Sequence, residues 1–286
     1  MVSQTRTKRP EKLYEGYVFD LDGTIYLGDE LLPGAKRMIE KLREHDKRVV
    51  FLSNNPTKSL KDYAEKLERL GLPTPEKDIV NTVVTATEYL LQNHPDATVY
   101  PISEQPLKDA LAGAGIKTSE DPEEIDIVIA SYDRGFNYRK LQTAFDAIWF
   151  HKRAWLMTTN PDRYCPFPGG RGEPDAAAIV GAIEGCTGTE LKVNVGKPDP
   201  VMLKTIERML GLDAKDCLMT GDRLYTEIRM ALDAGMPSAV VLTGETQAHD
   251  IEAESEENLP EFVLDRIDEL IPKDIRRESG WTENGG

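Results

Sequence analysis

The sequence predicts an α/β protein, a doubly wound core of mostly parallel strands that carries a second, inserted α/β region. Three observations predict it. Short apolar, β-branched runs alternate with segments of helical period from one end to the other. Several of these runs stop abruptly at a carboxylate, an amide or a lysine. The middle of the chain holds a complete set of strands and helices of its own. With 286 residues there is room for one large domain or two of ordinary size.

The elements follow in order. YVFDLD is the first strand, and Ala35, Met38, Ile39 and Leu42 then recur at helical spacing behind Pro33 and Gly34. RVVFLSNN is a second buried strand, followed by an amphipathic helix through Leu60, Tyr63, Ala64, Leu67 and Leu70 that closes at Gly71. The middle region supplies TVYPIS, DIVIAS and AWLMTTN as strands, with KDALAGAG, YRKLQTAFDAIWF and DAAAIVGAIEGCTG as helices. Towards the C-terminus the core pattern returns. VNVGKP is a strand and turn, PVMLKTIERMLG a helix, CLMTGD a strand, YTEIRMALDAGM a helix and SAVVLTG a strand, with EFVLDRIDELI as a closing strand and helix. Residues 1–84 and 191–286 are therefore expected to form a discontinuous core, and 85–190 an inserted α/β domain.

A net charge of −15 disfavours nucleic acid and acidic membrane surfaces as partners, and an anionic substrate would need local charge reversal from lysine, helix N-termini or a metal. No segment is long and apolar enough to cross a membrane. The basic opening MVSQTRTKRPEK lacks the apolar core of a secretory signal, and both it and the closing RRESGWTENGG read as loose ends. Three scattered cysteines, without CxxC or Cys/His metal spacing, read as buried thiols of a cytoplasmic protein. The AGAG near Ala112 lacks the full dinucleotide fingerprint.

In open α/β sheets, ligands sit beyond the carboxyl ends of the strands. Here those ends offer Asp20 and Asp22, Ser53 and Asn54, Lys197, and Asp222. Two like charges beside each other at the edge of a core cost repulsion and desolvation, unless a cation lies between them. Simpler readings stand beside this one: an Asp-Gly turn at Asp22, a solvated Lys197, and helix caps at Ser53 and Asp222. In the middle region, Asn160, Asp162 and Arg163 could face a ligand or hold a loop together through side-chain to backbone bonds. The nearby aromatics Trp155, Tyr164 and Phe167 read more readily as core than as a ligand platform.

DLDGT (Asp20 to Thr24), LSNN (Leu52 to Asn55), GKP (Gly196 to Pro198) and GDRLYTE (Gly221 to Glu227) together resemble, in order, the four signatures of the haloacid dehalogenase superfamily. The chain is similar to its phosphatases with a large α/β cap, the nitrophenylphosphatase and sugar-phosphatase branch. YDRGFNYRKL and TTNPDRYCP resemble that branch's cap patterns. The resemblance implies hydrolysis of small phosphate esters. Asp20 would be the nucleophile that forms an aspartyl-phosphate, and Asp22 the acid and base. Ser53, Asn54 and Lys197 would bind the phosphoryl oxygens. Mg2+ would be held by the Asp20 side chain, the Asp22 carbonyl and the Asp222 side chain. Glu227 stands where the family usually has a second aspartate, and is expected to reach the metal through water. Glu173 and Asp175 make the cap more acidic than in many relatives, which loosens any transfer of substrate. A phosphotransferase or phosphomutase on the same core, a non-catalytic receiver-like module, and a homodimer through the cap stay open.

Overall fold

The computed structural model describes residues 8–167 and 171–281; of the expected loose ends at 1–12 and 276–286, residues 1–7 and 282–286 lie outside them. Arg9 donates to Glu269, and 276–278 belong to the helix Lys273–Glu278, so the described parts of both ends are tied down. The chain divides into two compact units. One comprises the described residues of Met1–Ser53, Ala64–Val80 and Leu203–Gly286, the other Asn54–Tyr63 and Asn81–Met202.

The first unit is built on a six-stranded sheet. In spatial order its strands are Phe262–Leu264, Ser238–Val241, Cys217–Gly221, Gly16–Asp20, Arg48–Ser53 and Ile79–Asn81. Gly16–Asp20 is central, completely buried, and pairs in parallel with Cys217–Gly221 on one side and Arg48–Ser53 on the other. Strand order runs outward in both directions from it, so a topological switch point lies beside Asp20. Such a central strand, covered on both faces, requires an unbroken apolar run, and Tyr17, Val18 and Phe19 are each fully buried. Gly16 is needed for another reason: a Cβ there would fall 2.7 Å from the Sγ of Cys217.

The helix Ala35–Glu44 turns Ala35, Met38, Ile39 and Leu42 into the core, the stripe that the sequence pattern predicts. At its entry Gly34 takes a left-handed conformation (φ 90), and a Cβ there would run into the Asp268 side chain, so both backbone and space require glycine. Asp268, buried, accepts from Arg37 and pairs with Arg266 at 3.3 Å, while Trp281 lies over the Arg37 guanidinium at 4.7 Å.

The second unit has a four-stranded parallel sheet in the order Val193–Asn194, Trp155–Thr158, Ile127–Ala130, Val99–Ile102, and a hairpin of Tyr164–Phe167 with Arg171–Pro174. Alternate residues feed two apolar clusters. Val128 and Ala130 pack with Leu156, Ile179 and Ile183, whereas Ile127 and Ile129 pack with Leu107, Leu111 and Met157. Both faces of this sheet are covered by helices, as in the first unit.

Several expectations are corrected. VNVGKP was expected among the core strands, but Val193–Asn194 pairs with Trp155–Thr158 in the second unit's sheet. Two strand residues carry too little pattern to say which sheet they join. The expected helix in EFVLDRIDELI is a 3-10 turn at Ile267–Leu270, with a short α-helix following at Lys273–Glu278. The helix in YTEIRMALDAGM begins with a wider π turn at Leu224–Ile228. An additional helix, Thr82–Asn93, is rich in β-branched residues and so hid its period; the Asn81 side chain caps it by accepting from the Val84 N–H. Of the cysteines only Cys217 is buried, its thiol pushed up to about 11 by burial, while Cys186 is exposed on its helix. Tyr164 and Phe167, read as core, are exposed on the hairpin.

Replacing Gly34 by Ala forces a Cβ to within 2.5 Å of the Asp268 Cγ at a left-handed φ. Urea unfolding should show a loss of about 3 kcal/mol with the slope unchanged. Gly28→Ala, left-handed as well (φ 59) but facing open space, should cost only about 1 kcal/mol.

Candidate active site

Asp20 closes the central strand with 7% of its surface exposed, opposite Leu52 on the neighbouring strand. Ser53, buried, is the next residue along that neighbour, and Asp222, buried, follows the strand on the other side. Asp20, Ser53 and Asp222 therefore share one edge, on strands about 4.8 Å apart. Asp22 is exposed, two residues beyond Asp20, and accepts from the Tyr26 hydroxyl at 3.4 Å. The turn that carries it depends on Gly23, whose φ is 88 and whose N–H donates to the Tyr26 carbonyl at 2.9 Å. A Cβ on Gly23 would sit 2.4 Å from Asp222 Oδ2, so the Asp222 carboxylate rests on the bare backbone of this turn.

Asp222 is held from the far side as well. The Glu245 N–H donates to its Oδ2 at 2.8 Å, and the Thr246 N–H donates to its carbonyl at 3.0 Å. Glu227 is buried, accepts from the Thr226 hydroxyl at 2.7 Å, and fills the space that a side chain on Gly221 would need. Burial disfavours the charge on Arg223, but Tyr225, Asp222, Glu227 and Asp20 outweigh it and raise its pKa above the ordinary arginine value. Buried carboxylates thus gather where the strand order reverses.

This donor set suits a hard divalent cation. Among the described residues no three His, Cys, Asp or Glu side chains form a complete metal site. The expected set asks only for two carboxylates and one main-chain carbonyl, and the glycine-lined cradle around Asp222 brings the Asp20–Gly23 turn against it. These residues fit Mg2+.

The remaining candidates lie in the second unit. Asn54 accepts from the Lys197 N–H at 2.8 Å through its Oδ1, and its Nδ2 donates to Asp162 at 2.9 Å. Lys197 is 3% exposed, and Gly196 before it leaves no room for a Cβ against the Thr159 carbonyl. Asn160 is fully buried and its amide donates to both Asp162 and Asp175 at 3.0 Å, so it acts as a brace of this loop. Asp162 is half-buried and Arg163 exposed. Asp175 caps the helix Ala176–Thr187, accepting from the Ala176 N–H at 2.6 Å. Burial raises its carboxyl to about 6, with Asp162 adding to the rise and the Asn160, Ala176 and Arg134 contacts opposing it. Glu173 is engaged elsewhere, accepting from the Tyr132 hydroxyl at 2.5 Å and the Arg134 Nε at 2.6 Å.

Sequence reasoning missed the part played by the loop after SAVV, whose Glu245 and Thr246 N–H groups hold Asp222. Gly244, three residues beyond the end of that strand, was the available signal.

Comparison with known proteins decides the family. The haloacid dehalogenase-like hydrolase model matches residues 17–117, and a second HAD-like hydrolase model matches 194–270. The sugar-phosphatase AraL of Bacillus subtilis is 34% identical over 89% of this chain and 91% of its own length. The chain belongs to the haloacid dehalogenase-like hydrolases. Its fold matches that of the 4-nitrophenylphosphatase from Thermotoga maritima, with a TM-score of 0.83 and 33% identity over 90% of this chain and 96% of that one. It also matches glycerol phosphate phosphatase from Mycobacterium tuberculosis in complex with magnesium, with a TM-score of 0.82 and 27% identity over 93% and 78%. The hydrolase accordingly has the Rossmann-like core of its family together with a cap domain, and is a phosphoric monoester hydrolase. No helix among its described residues is long and apolar enough to cross a membrane.

Because Asp175 binds its proton more tightly in the fold than in the unfolded chain, its contribution is greatest at low pH and is lost as the pH rises from about 4 through about 6. Asp175→Asn keeps an oxygen to accept from Ala176 and Asn160. Relative to the parent, its unfolding free energy should rise by about 2 kcal/mol between pH 4 and pH 6.5, as read by urea titration at each pH.

Proposed function

We propose that the enzyme is a Mg2+-dependent phosphatase of small phosphomonoesters, sugar phosphates and 4-nitrophenyl phosphate among them, working through an aspartyl-phosphate. One observation carries this reading: buried Asp20 and Asp222 end adjacent parallel strands at the switch point, with exposed Asp22 two residues further on. The names of the sugar-phosphatase and nitrophenylphosphatase relatives support the substrate class. The magnesium in a neighbour's structure supports the metal.

In this reading an Asp20 carboxylate oxygen attacks phosphorus and the ester P–O bond breaks. The leaving oxygen takes a proton from Asp22. Water then attacks the phospho-Asp20, Asp22 accepts its proton, and inorganic phosphate leaves with Asp20 restored. The exposure of Asp22 suits a group that must meet both the leaving oxygen and water. Asp20, the Asp22 carbonyl and Asp222 would hold Mg2+, which when bound offsets the charge between a carboxylate nucleophile and an anionic substrate. Ser53, Asn54 and Lys197 would hold the phosphoryl oxygens. Lys197 brings a compact positive charge to a chain of net −15. Glu227 would act through water. Residues 85–190 would serve as the cap that selects substrate, with Arg163 its most exposed candidate, and 1–84 with 191–286 as the catalytic core.

Purified protein with Mg2+ should release inorganic phosphate from 4-nitrophenyl phosphate. EDTA or Asp20→Asn should lower that release by at least about a thousandfold. Undiminished turnover in Asp20→Asn would end the nucleophile assignment. If the cap admits only small substrates, a phosphopeptide should turn over far more slowly than 4-nitrophenyl phosphate in the same assay; comparable rates would contradict this.

A further inference from the structure

The strand Ser238–Val241 lies beside Cys217–Gly221 in parallel, with Val240 opposite Gly221. The chain leaving it must therefore pass the residue that follows Gly221, which is Asp222. It does so as the loop 243–246, and each residue there touches one of two turns. Thr243 Oγ1 donates to the Gly23 carbonyl at 2.9 Å. Gly244 lies so close that a Cβ would fall 2.0 Å from Asp222 Oδ2. The Glu245 N–H donates to that same Oδ2, and the Thr246 N–H to the Asp222 carbonyl. The Glu245 side chain engages the residues after Asp222, with Oε2 2.8 Å from Arg223 Nε and Oε1 accepting from the Tyr225 hydroxyl at 2.9 Å.

The loop thus ties the Asp20–Gly23 turn to the Asp222 turn. Gly23 is held at both polar atoms, its N–H by Tyr26 and its carbonyl by Thr243. With one oxygen fixed by a backbone N–H, the Asp222 carboxylate cannot rotate without breaking a hydrogen bond and striking Gly23 or Gly244. A carboxylate oriented in advance binds a cation without having to lose that freedom on binding.

We propose that Thr243 and Glu245 are positioning residues that set Asp222 and the Asp20–Gly23 turn in register for a divalent cation. This rests on the reading of Asp20 and Asp222 as metal-holding. Neither residue touches the reacting atoms; Thr243 acts through the Gly23 carbonyl, Glu245 through Asp222 and Arg223.

The test is Mg2+ binding to substrate-free protein by calorimetry, alongside phosphate release as a function of Mg2+ concentration. Thr243→Val keeps the shape and removes the hydroxyl; it should weaken Mg2+ binding about 10- to 100-fold. Activity should be largely regained at saturating Mg2+, and the melting temperature in EDTA should stay close to the parent's. Thr243→Ser should restore the affinity. Glu245→Ala keeps its N–H but releases Arg223 and Tyr225, and should weaken binding by a smaller factor, about threefold or more. Mg2+ affinities within twofold of the parent in both variants would overturn the proposal while leaving the metal reading intact. Equal losses in Thr243→Ser and Thr243→Val would also overturn it. A parent protein that binds no Mg2+ would sink the metal reading itself, and this proposal with it.

Discussion

The first unit is organised around the contact between the Asp222 carboxylate and bare peptide backbone. Two glycines, Gly23 and Gly244, come so near it that neither could carry a side chain without displacing it. Close approach of backbone is what allows a carboxylate to be buried: the Glu245 N–H satisfies it where water has been excluded. The same approach brings it against the turn after Asp20. The cost of gathering buried carboxylates is met partly by Arg223, whose pKa is raised by Tyr225 and by Asp222, Glu227 and Asp20, and in the functional reading by a cation. Sheet topology makes the meeting possible, since strands on both sides of Gly16–Asp20 run parallel to it and finish at the same edge.

The second unit solves a related problem with amides in place of glycines. Asn160 bridges Asp162 and Asp175, and Asn54 bridges Asp162 and the Lys197 backbone. Amides suit this task because each carries donors and an acceptor and no charge of its own, so a buried acidic loop can be satisfied without a second ion. The raised carboxyl of Asp175 measures what remains unpaid for by these bonds. The hairpin beyond this loop leaves Tyr164 and Phe167 exposed.

Much of the fold was legible in the sequence. The buried strand before Asp20 shows itself as an uninterrupted apolar run, and the helix at Ala35–Glu44 through a stripe that the structure buries residue for residue. Elements that escaped did so for physical reasons. The helix Thr82–Asn93 is so rich in threonine and valine that its local preference conflicts with its structure, and Asn81 begins it by capping. The short strand before Lys197 could be seen, but not the sheet that it joins.

The sequence by itself determined the chemistry available: a paired acid after a buried strand, a glycine beside it, and further polar ends on later strands, because residue type and period are local properties. Only the tertiary structure decided which of those groups keep company. It placed Asn160 in a fully buried brace, set Lys197 in a different unit from Asp20, and laid an unremarked loop across Asp222. Around Asp222 such pairings join residues more than twenty, and in the case of Thr243 and Gly23 more than two hundred, positions apart. They arise from strand register and from the space that a missing side chain leaves, neither of which is written in any one stretch of the chain.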